Sequence, residues 1–315
     1  MSDSPLAESP YTVLGVSEQA SDSELRRTYR RKLRETHPDT GGEAARFDLI
    51  QRAWEQLGTP EGRAAYDSGA ARPGSRANPS ARSWAPQATS SRMGSTRPES
   101  LMHGHAGRWN REQYLELLHE WVGAGVNIPD PYDPKLVRST PRAVRHPLAS
   151  AIAEEDTAIV LAGLGMGFTV WNSVRTASGA VGQGAARKID HIVLGPTGLW
   201  GMLSEDWGAS VAARGGDIVG HDIHPDERPM HDLATRAREF ERQAKVRFSA
   251  LAIVAPDDAS PEGVETVGTI RGAPTFLVQR ARLANLIRAR EPGVAFGGTD
   301  LFEVRTRVQS AARFV

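Results

Sequence analysis

Ser21-Asp-Ser-Glu-Leu-Arg-Arg-Thr-Tyr-Arg-Arg-Lys-Leu-Arg-Glu-Thr36, then His37-Pro-Asp39, then Glu43-Ala-Ala-Arg-Phe-Asp-Leu-Ile-Gln-Arg-Ala-Trp-Glu-Gln-Leu57, is the stretch that decides the N-terminal fold. Ser21 with Glu24 three residues on is a capping-box pattern that opens a helix. Leu25, Tyr29 and Leu33 fall at i, i+4 and i+8, one apolar stripe. Arg26, Arg27, Arg30, Arg31, Lys32 and Arg34 cover the remaining surface. Pro38 stops the helix and pushes His37 toward extended geometry, and Gly41-Gly42 completes the turn. In the second helix Phe47, Ile50, Trp54 and Leu57 form the facing stripe. The economical reading is an all-α helical hairpin with a rigid loop. Residues 1–9 are expected to fray, and Tyr11–Val16 reads as a short apolar turn.

Tyr11, Leu14-Gly15-Val16, the basic helix with Tyr29, the His-Pro-Asp tripeptide, Phe47, Ala53-Trp54, Leu57 and the closing Arg63-Ala-Ala-Tyr66-Asp67 stand in one order. Together they resemble the J-domain of DnaJ-type co-chaperones over about residues 9–68, which sets a domain at 1–69. Lys32 and Arg34 depart from the pattern, standing where many members carry apolar residues. The resemblance implies docking on a DnaK-type chaperone and stimulation of its ATPase. His37, Pro38 and Asp39 would form the docking loop, with Arg26, Arg27, Arg30 and Arg31 as the docking face. Tyr11, Leu14, Leu25, Tyr29, Leu33, Phe47, Ile50, Trp54 and Leu57 would form the core. A basic helix face steers toward an acidic partner groove. Nucleic acid is not favoured as a partner, because residues 1–69 hold 9 Lys/Arg against 12 Asp/Glu.

The length of 315 residues points to about two domains. Lys+Arg and Asp+Glu are both 38, so the whole chain is not tuned for nucleic acid or a membrane surface. There is no Cys, which removes disulfides, thiol catalysis and the zinc-binding cysteine module that some J-domain proteins carry. The N-terminus has no basic and apolar leader pattern. The longest apolar run, near Ala158–Trp171, is interrupted by Gly and Thr and falls short of the ~20 residues a bilayer demands. A soluble, cytoplasmic protein with no membrane partner is expected.

Residues 70–108 read as a flexible linker rich in Gly, Pro, Ser and Arg, with no Gly/Phe-rich tract. Residues 109–148 read as a helix capped by Asn110, with Tyr114, Leu117, Leu118 and Trp121 on one face, followed by a Pro-rich wrapping segment. From 149 to 290 the pattern is a helix (149–164), a strand (168–174), paired strands 188–194 and 198–204 joined by Gly195-Pro-Thr-Gly198, a Gly215-Gly216 hairpin, a helix (232–245), a strand (248–254), shorter strands at 264–270 and 275–278, and a helix (280–290). This is an α/β core with a mixed sheet. Residues 291–315 read as a weakly patterned tail.

Glu154, the run Ile189-Asp-His-Ile-Val-Leu-Gly-Pro-Thr-Gly-Leu-Trp-Gly-Met-Leu-Ser-Glu-Asp-Trp207 and the Gly-Gly hairpin resemble the nuclease-related domain, NERD, over about residues 149–290. NERD is a branch of the PD-(D/E)xK, restriction-endonuclease-like fold. The resemblance implies that an active member holds Mg²⁺ with an Asp and a strand acid, and that a Lys two residues later orients water. Asp190 matches the first acid and Glu154 is the helix acid, but the Glu-x-Lys triplet falls on Leu203-Ser204-Glu205. Leu ligates no metal and Glu supplies no cation. The expectation is a non-catalytic relative, without cofactor, that binds a client of unknown identity or localises the protein. The alternatives are a rearranged Mg²⁺ site of Glu154, Asp190 and Glu205, with Asp206 or His191 nearby, in a metal-dependent nuclease, and a module that binds nucleic acid without cutting. Gly163-Leu-Gly-Met-Gly167 lacks a phosphate-loop Lys and reads as a turn. His221, His224, Asp226 and His231 have ligand chemistry but sit in a charged, Pro-containing loop. No Ser-His-Asp arrangement has a recognisable context.

Overall fold

The computed structural model describes residues 4–6, 8–36, 44–67, 84–86, 98–123, 125–176, 188–289 and 298–315. The chain opens with helices α1 (Pro10–Leu14), α2 (Asp22–Glu35), α3 (Ala44–Leu57) and α4 (Pro60–Asp67). Strand β1 (Leu101–His103) and helices α5 (Arg108–Val122), α6 (Pro134–Ser139) and α7 (Arg142–Ala162) follow. Next come β2 (Thr169–Arg175), β3 (Lys188–Gly195), β4 (Gly198–Ser204), β5 (Val211–Arg214), β6 (Asp217–Gly220) and α8 (Pro229–Ala244). The last elements are β7 (Ala250–Ala255), β8 (Val264–Ile270), β9 (Ala273–Gln279), α9 (Arg280–Ala289) and α10 (Gly298–Ala311). They divide into two units: Met1–Pro86 with Pro129–Ser139, and Gln87–Ile128 with Thr140–Val315.

In the N-terminal unit the stripes of α2 and α3 face each other. Leu25 packs with Ile50, Ala53 and Leu57, and Tyr11, Leu14 and Ala20 complete the buried cluster. Tyr29 and Trp54 stack with ring centroids 4.4 Å apart, and Leu33 lies against the same cluster. Ser21 caps α2 by accepting from the Glu24 N–H. The Tyr11–Val16 stretch is a helix, not a turn: Ser9 caps it, Pro10 sits in its first turn, and Gly15 ends it at φ 67°, where glycine carries no steric cost. Ser4 and Leu6 are buried, so the expected fraying does not extend over them. Arg63 on α4 ties three elements together. Its Nε donates to the Tyr11 hydroxyl (3.0 Å), Nη1 to Asp22 (3.0 Å) and Nη2 to the Glu18 carbonyl (2.7 Å), while Tyr11 donates to Asp67 (2.8 Å). The 129–139 segment joins this unit through Arg138, whose guanidinium lies 5.6 Å from the Tyr66 ring and 5.5 Å from that of Trp84. The stretch read as one piece, 109–148, is therefore divided between the units.

The C-terminal unit is built on a mixed seven-stranded sheet, ordered β1-β2-β3-β4-β7-β9-β8, with β5–β6 as a separate hairpin. β1 runs parallel to β2, β4 to β7 and β7 to β9; the other neighbours are antiparallel. Strands β3, β4 and β7 are buried along their whole length because both faces are covered. On one face Val170, Val193, Trp200, Met202 and Ala252 meet Leu161 of α7 and Leu283 and Ile287 of α9. On the other, Leu199, Leu203, Leu251 and Ile253 meet Leu233 and Phe240 of α8 and Val308 of α10.

Four expectations are corrected here. The linker read as 70–108 takes in β1, and Ser100 is already buried, its hydroxyl donating to the Leu161 carbonyl. Asn110 is not the α5 cap; Gly107 holds that position and Asn110 is buried inside the helix. Pro147 lies inside α7 rather than before it, where burial of Val144 and Leu148 outweighs one lost backbone bond. The 291–315 tail carries α10, and beyond it Val174 forms an antiparallel bridge with Phe314. Among the described residues no helix is long and apolar enough to cross a membrane.

Candidate functional site

Two arrangements stand out. The first is the outer surface of α2. Packing of Leu25 against α1 and α3 turns Arg26, Arg27, Arg30 and Arg31 to solvent, and all four are exposed. Among the described residues, Arg31 has an ion-pair contact there, 3.8 Å from Glu35 one turn on. His37, Pro38 and Asp39 lie outside the described residues. The core residues Tyr11, Leu14, Leu25, Ile50 and Leu57 are buried, and Tyr29, Leu33, Phe47 and Trp54 are half-buried around them.

The second is a buried acid–lysine centre in the C-terminal unit, where α7 crosses β2, β3 and the end of β4. Glu154 (α7), Lys188 and Asp190 (β3) converge, and each is at most 4% exposed. The Lys188 ammonium donates to Glu154 Oε1 (2.5 Å) and to Asp190 Oδ1. Glu154 Oε1 also accepts from Asn110 Nδ2 (2.5 Å), and its Oε2 accepts from the Gly107 N–H (3.1 Å) and the Ser173 hydroxyl (3.3 Å). Asp190 Oδ2 accepts from the Ser204 N–H (2.8 Å). Glu205, just past β4 and half-buried, accepts from the Ser150 hydroxyl (3.0 Å). Arg111 and Glu155 form a flanking ion pair one residue along each helix.

These surroundings set the electrostatics. Burial and the Asp190 charge push the Glu154 carboxyl up to about 7, against the pull of Lys188. Burial, then Asp190, push Glu205 up to about 7 as well. The Lys188 ammonium is held well above its ordinary value, its two carboxylates outweighing the effect of burial. Burial pushes His191 down to about 4, so the ring is neutral. Its Nδ1–H donates to Asn172 Oδ1 (2.8 Å), and Nε2 accepts from the Ser204 hydroxyl (3.1 Å). This Ser-His-Asn relay resembles a nucleophile-and-base pair, but all three residues are at most 2% exposed, so no substrate reaches it. It satisfies polar groups inside the sheet.

Backbone strain marks the same spot. Ser173 on β2 adopts φ 51°, a left-handed conformation uncommon for a non-glycine residue and one that costs ~1–3 kcal/mol. It stands opposite Asp190 in the β2–β3 register, where the ladder skips a pair. Its hydroxyl bonds both Glu154 and the His105 carbonyl, and its own carbonyl accepts from Val315.

Of the residues read from sequence, Glu154 and Asp190 are brought together, with Glu205 near enough to feel the Asp190 charge. Leu203 points into the apolar core instead. Asp206 caps the Gly208 N–H. His224 pairs loosely with Asp226 (3.6 Å) and His231 with Asp217 (2.7 Å), both histidines being exposed. Gly163–Gly167 forms turns. Sequence reasoning missed Lys188. Its signal was an alternation, Lys188-x-Asp190, which puts both side chains on one side of a strand. A divalent metal does not fit the centre as arranged. The four lone-pair directions of Glu154 are taken, Asp190 is bonded through both oxygens, and a cation, the ammonium, already lies between them. Among the described residues no group of three His, Asp or Glu side chains is arranged to hold a metal ion.

Comparison with known proteins places the N-terminal unit. Residues 9–67 match the family model for the DnaJ domain. The chaperone protein DnaJ of Prochlorococcus marinus is 50% identical over 60 residues, 18% of this chain and 16% of that protein. The chaperone protein DnaJ of a Cyanothece species is 46% identical over 65 residues, 20% of this chain and 17% of its own length. A DnaJ protein homolog of Cucumis sativus is 42% identical over 57 residues, 18% and 14% of the two chains. Residues 9–67 are thus a DnaJ J-domain, while the chain spans between 14% and 17% of the length of these curated relatives.

Proposed function

We propose that this protein is a J-domain co-chaperone: it docks on a DnaK-type chaperone and stimulates its ATPase, and its C-terminal unit is a NERD-like module that cuts nothing and instead binds a client or places the protein in the cell. The observation that carries the first half is the order of elements in residues 9–67, with His37-Pro38-Asp39 between α2 and α3 and four exposed arginines on α2. An arginine-rich helix face raises the encounter rate with an acidic groove. The partner's own active site performs the chemistry; the His37 imidazole and the Asp39 carboxylate act as docking groups. A cytoplasmic, reducing setting accords with a chain that has no cysteine.

The NERD-like half is supported by the mixed sheet flanked by helices and by the meeting of Glu154 with Asp190 beside β3 and β4. The reading as non-catalytic rests on Leu203 in the core and on acids whose oxygens are already bonded. Convergence of two acids with a lysine favours one second reading, a metal-dependent nuclease that carries a J-domain.

Single-turnover ATP hydrolysis by a DnaK-type chaperone, with wild-type protein and with His37→Gln, tests the first reading. Stimulation by the wild type and its loss in the variant, at unchanged circular dichroism, is expected; equal stimulation by both rejects it. Incubation of the full chain with DNA and RNA in Mg²⁺ or Mn²⁺ separates the second reading. Cleavage that disappears in Asp190→Ala would establish the nuclease.

A further inference from the structure

We infer that Lys188 is the resident cation of the acid centre: its ammonium stands where a divalent ion would stand between Glu154 and Asp190, and it closes that site to metals. The inference rests on the non-cutting reading of the C-terminal unit.

Geometry carries it. The Lys188 ammonium donates to Glu154 Oε1, a carboxylate oxygen of the kind a hard divalent ion takes as ligand. The same nitrogen bonds Asp190 Oδ1, so two carboxylates from different elements meet on one cationic point. Two carboxylates with water suffice to hold a hard divalent ion. Glu205 lies near enough to Asp190 to feel its charge, and its carboxylate is held by the Ser150 hydroxyl. The ammonium is tethered to β3, two residues from Asp190, and is itself buried. A metal would have to evict it into an apolar sheet and also shed tightly held water. Lys188 instead supplies the charge balance with no outside ligand, and the junction of α7, β2 and β3 stays closed whatever the metal content of the solution.

Only four lysines occur in the chain, at 32, 135, 188 and 245, which makes the ammonium directly observable. In protein labelled with ¹⁵N-lysine, the buried, hydrogen-bonded Lys188 ammonium exchanges slowly enough to give its own resonance. That resonance is expected to keep its position and intensity as Mg²⁺, Ca²⁺ or Zn²⁺, all diamagnetic, is added to millimolar levels. Loss or displacement of the resonance by a diamagnetic ion overturns the inference. The companion variant is Lys188→Ala in the full chain, which opens the position. One Ca²⁺ or Mn²⁺ is expected to bind by calorimetry and to raise the melting temperature of K188A by several degrees, with no shift in wild type and none in K188A/D190N. A folded K188A that ignores both ions also overturns it. If K188A does not fold, the wild-type resonance decides alone. Nucleic-acid cleavage by the wild type would reject the non-cutting reading, and it is scored separately from either ion measurement.

Discussion

Replacing Arg63 by alanine tests how the J-domain is closed. Its side chain is 18% exposed and donates to three acceptors, on α1, at the start of α2 and on the loop between them. The bond to the Glu18 carbonyl is charge-assisted and contributes about 1.5 kcal/mol, and that to the Tyr11 hydroxyl about 1 kcal/mol. The Asp22 pair is discounted to at most ~0.5 kcal/mol, since Asp22 is 57% exposed and solvent screens it. Arg63→Ala should therefore cost the N-terminal unit about 2–3 kcal/mol, roughly a 30- to 150-fold change in an equilibrium constant. Hydrogen exchange on the full chain reads this directly: peptides from α1 and α4 should exchange faster by that factor, while those from β3, β4 and β7 should not change. Lysine at 63 offers one point of charge in place of a planar fork and should recover less than half of the loss. Acceleration below about 5-fold in R63A, about 1 kcal/mol, would show that the three contacts do not hold α4 in place.

Three further outcomes follow from the C-terminal unit. Glu154→Gln leaves Lys188 with one buried carboxylate and should cost about 3 kcal/mol, read as a fall of roughly 6–12 °C in the melting temperature. Glu154 and Glu205 bind protons more tightly when folded (about 7) than when unfolded, so their contribution is complete below about pH 4.3 and is lost as the pH rises through 7; His191, pushed down to about 4, works in the opposite sense between about 4 and 6.5. Urea midpoints should thus fall from pH 5 to pH 7, and less so in Glu205→Gln; an identical slope in the variant contradicts the assignment. Deleting 298–315 uncovers the core face that Leu301, Val304, Val308, Ala311 and Ala312 shield. At about 1.5 kcal/mol per large apolar side chain the loss is on the order of 5 kcal/mol, enough to leave the unit unfolded or aggregated by light scattering.

What the sequence disclosed tracks what periodicity can encode. The stripes of α2 and α3 depend on local spacing alone, and that spacing puts Leu25, Ile50 and Leu57 on the sides that face each other. The hairpin of β3 and β4 was legible for the same reason, through its Gly195–Gly198 turn. α10 was legible but overlooked, since Leu301, Val304, Val308 and Ala311 fall at i, i+3, i+7 and i+10. The acid centre was only half legible. The sequence pattern marks Glu154 and Asp190 but not Lys188, because a Glu-x-Lys triplet would put its lysine at the end of β4, whereas Lys188 precedes Asp190 on β3. No local pattern announces the left-handed Ser173 either; only the tertiary bonds of its hydroxyl and carbonyl hold it there. Pro147 misled for a related reason, a local rule overridden by packing.

The Val174–Phe314 bridge and the Trp171–Gln309 bond join residues about 140 positions apart. The J-domain, by contrast, is complete in some sixty residues of mostly helical chain. Synthesis runs from the N-terminus at ~5–20 residues per second, and folding slows as contacts grow more distant. The J-domain is therefore ready many seconds before β2 meets its distant partner. Until the C-terminus emerges, the sheet is missing that edge, so the unfinished C-terminal unit coexists with a folded J-domain on the same polypeptide.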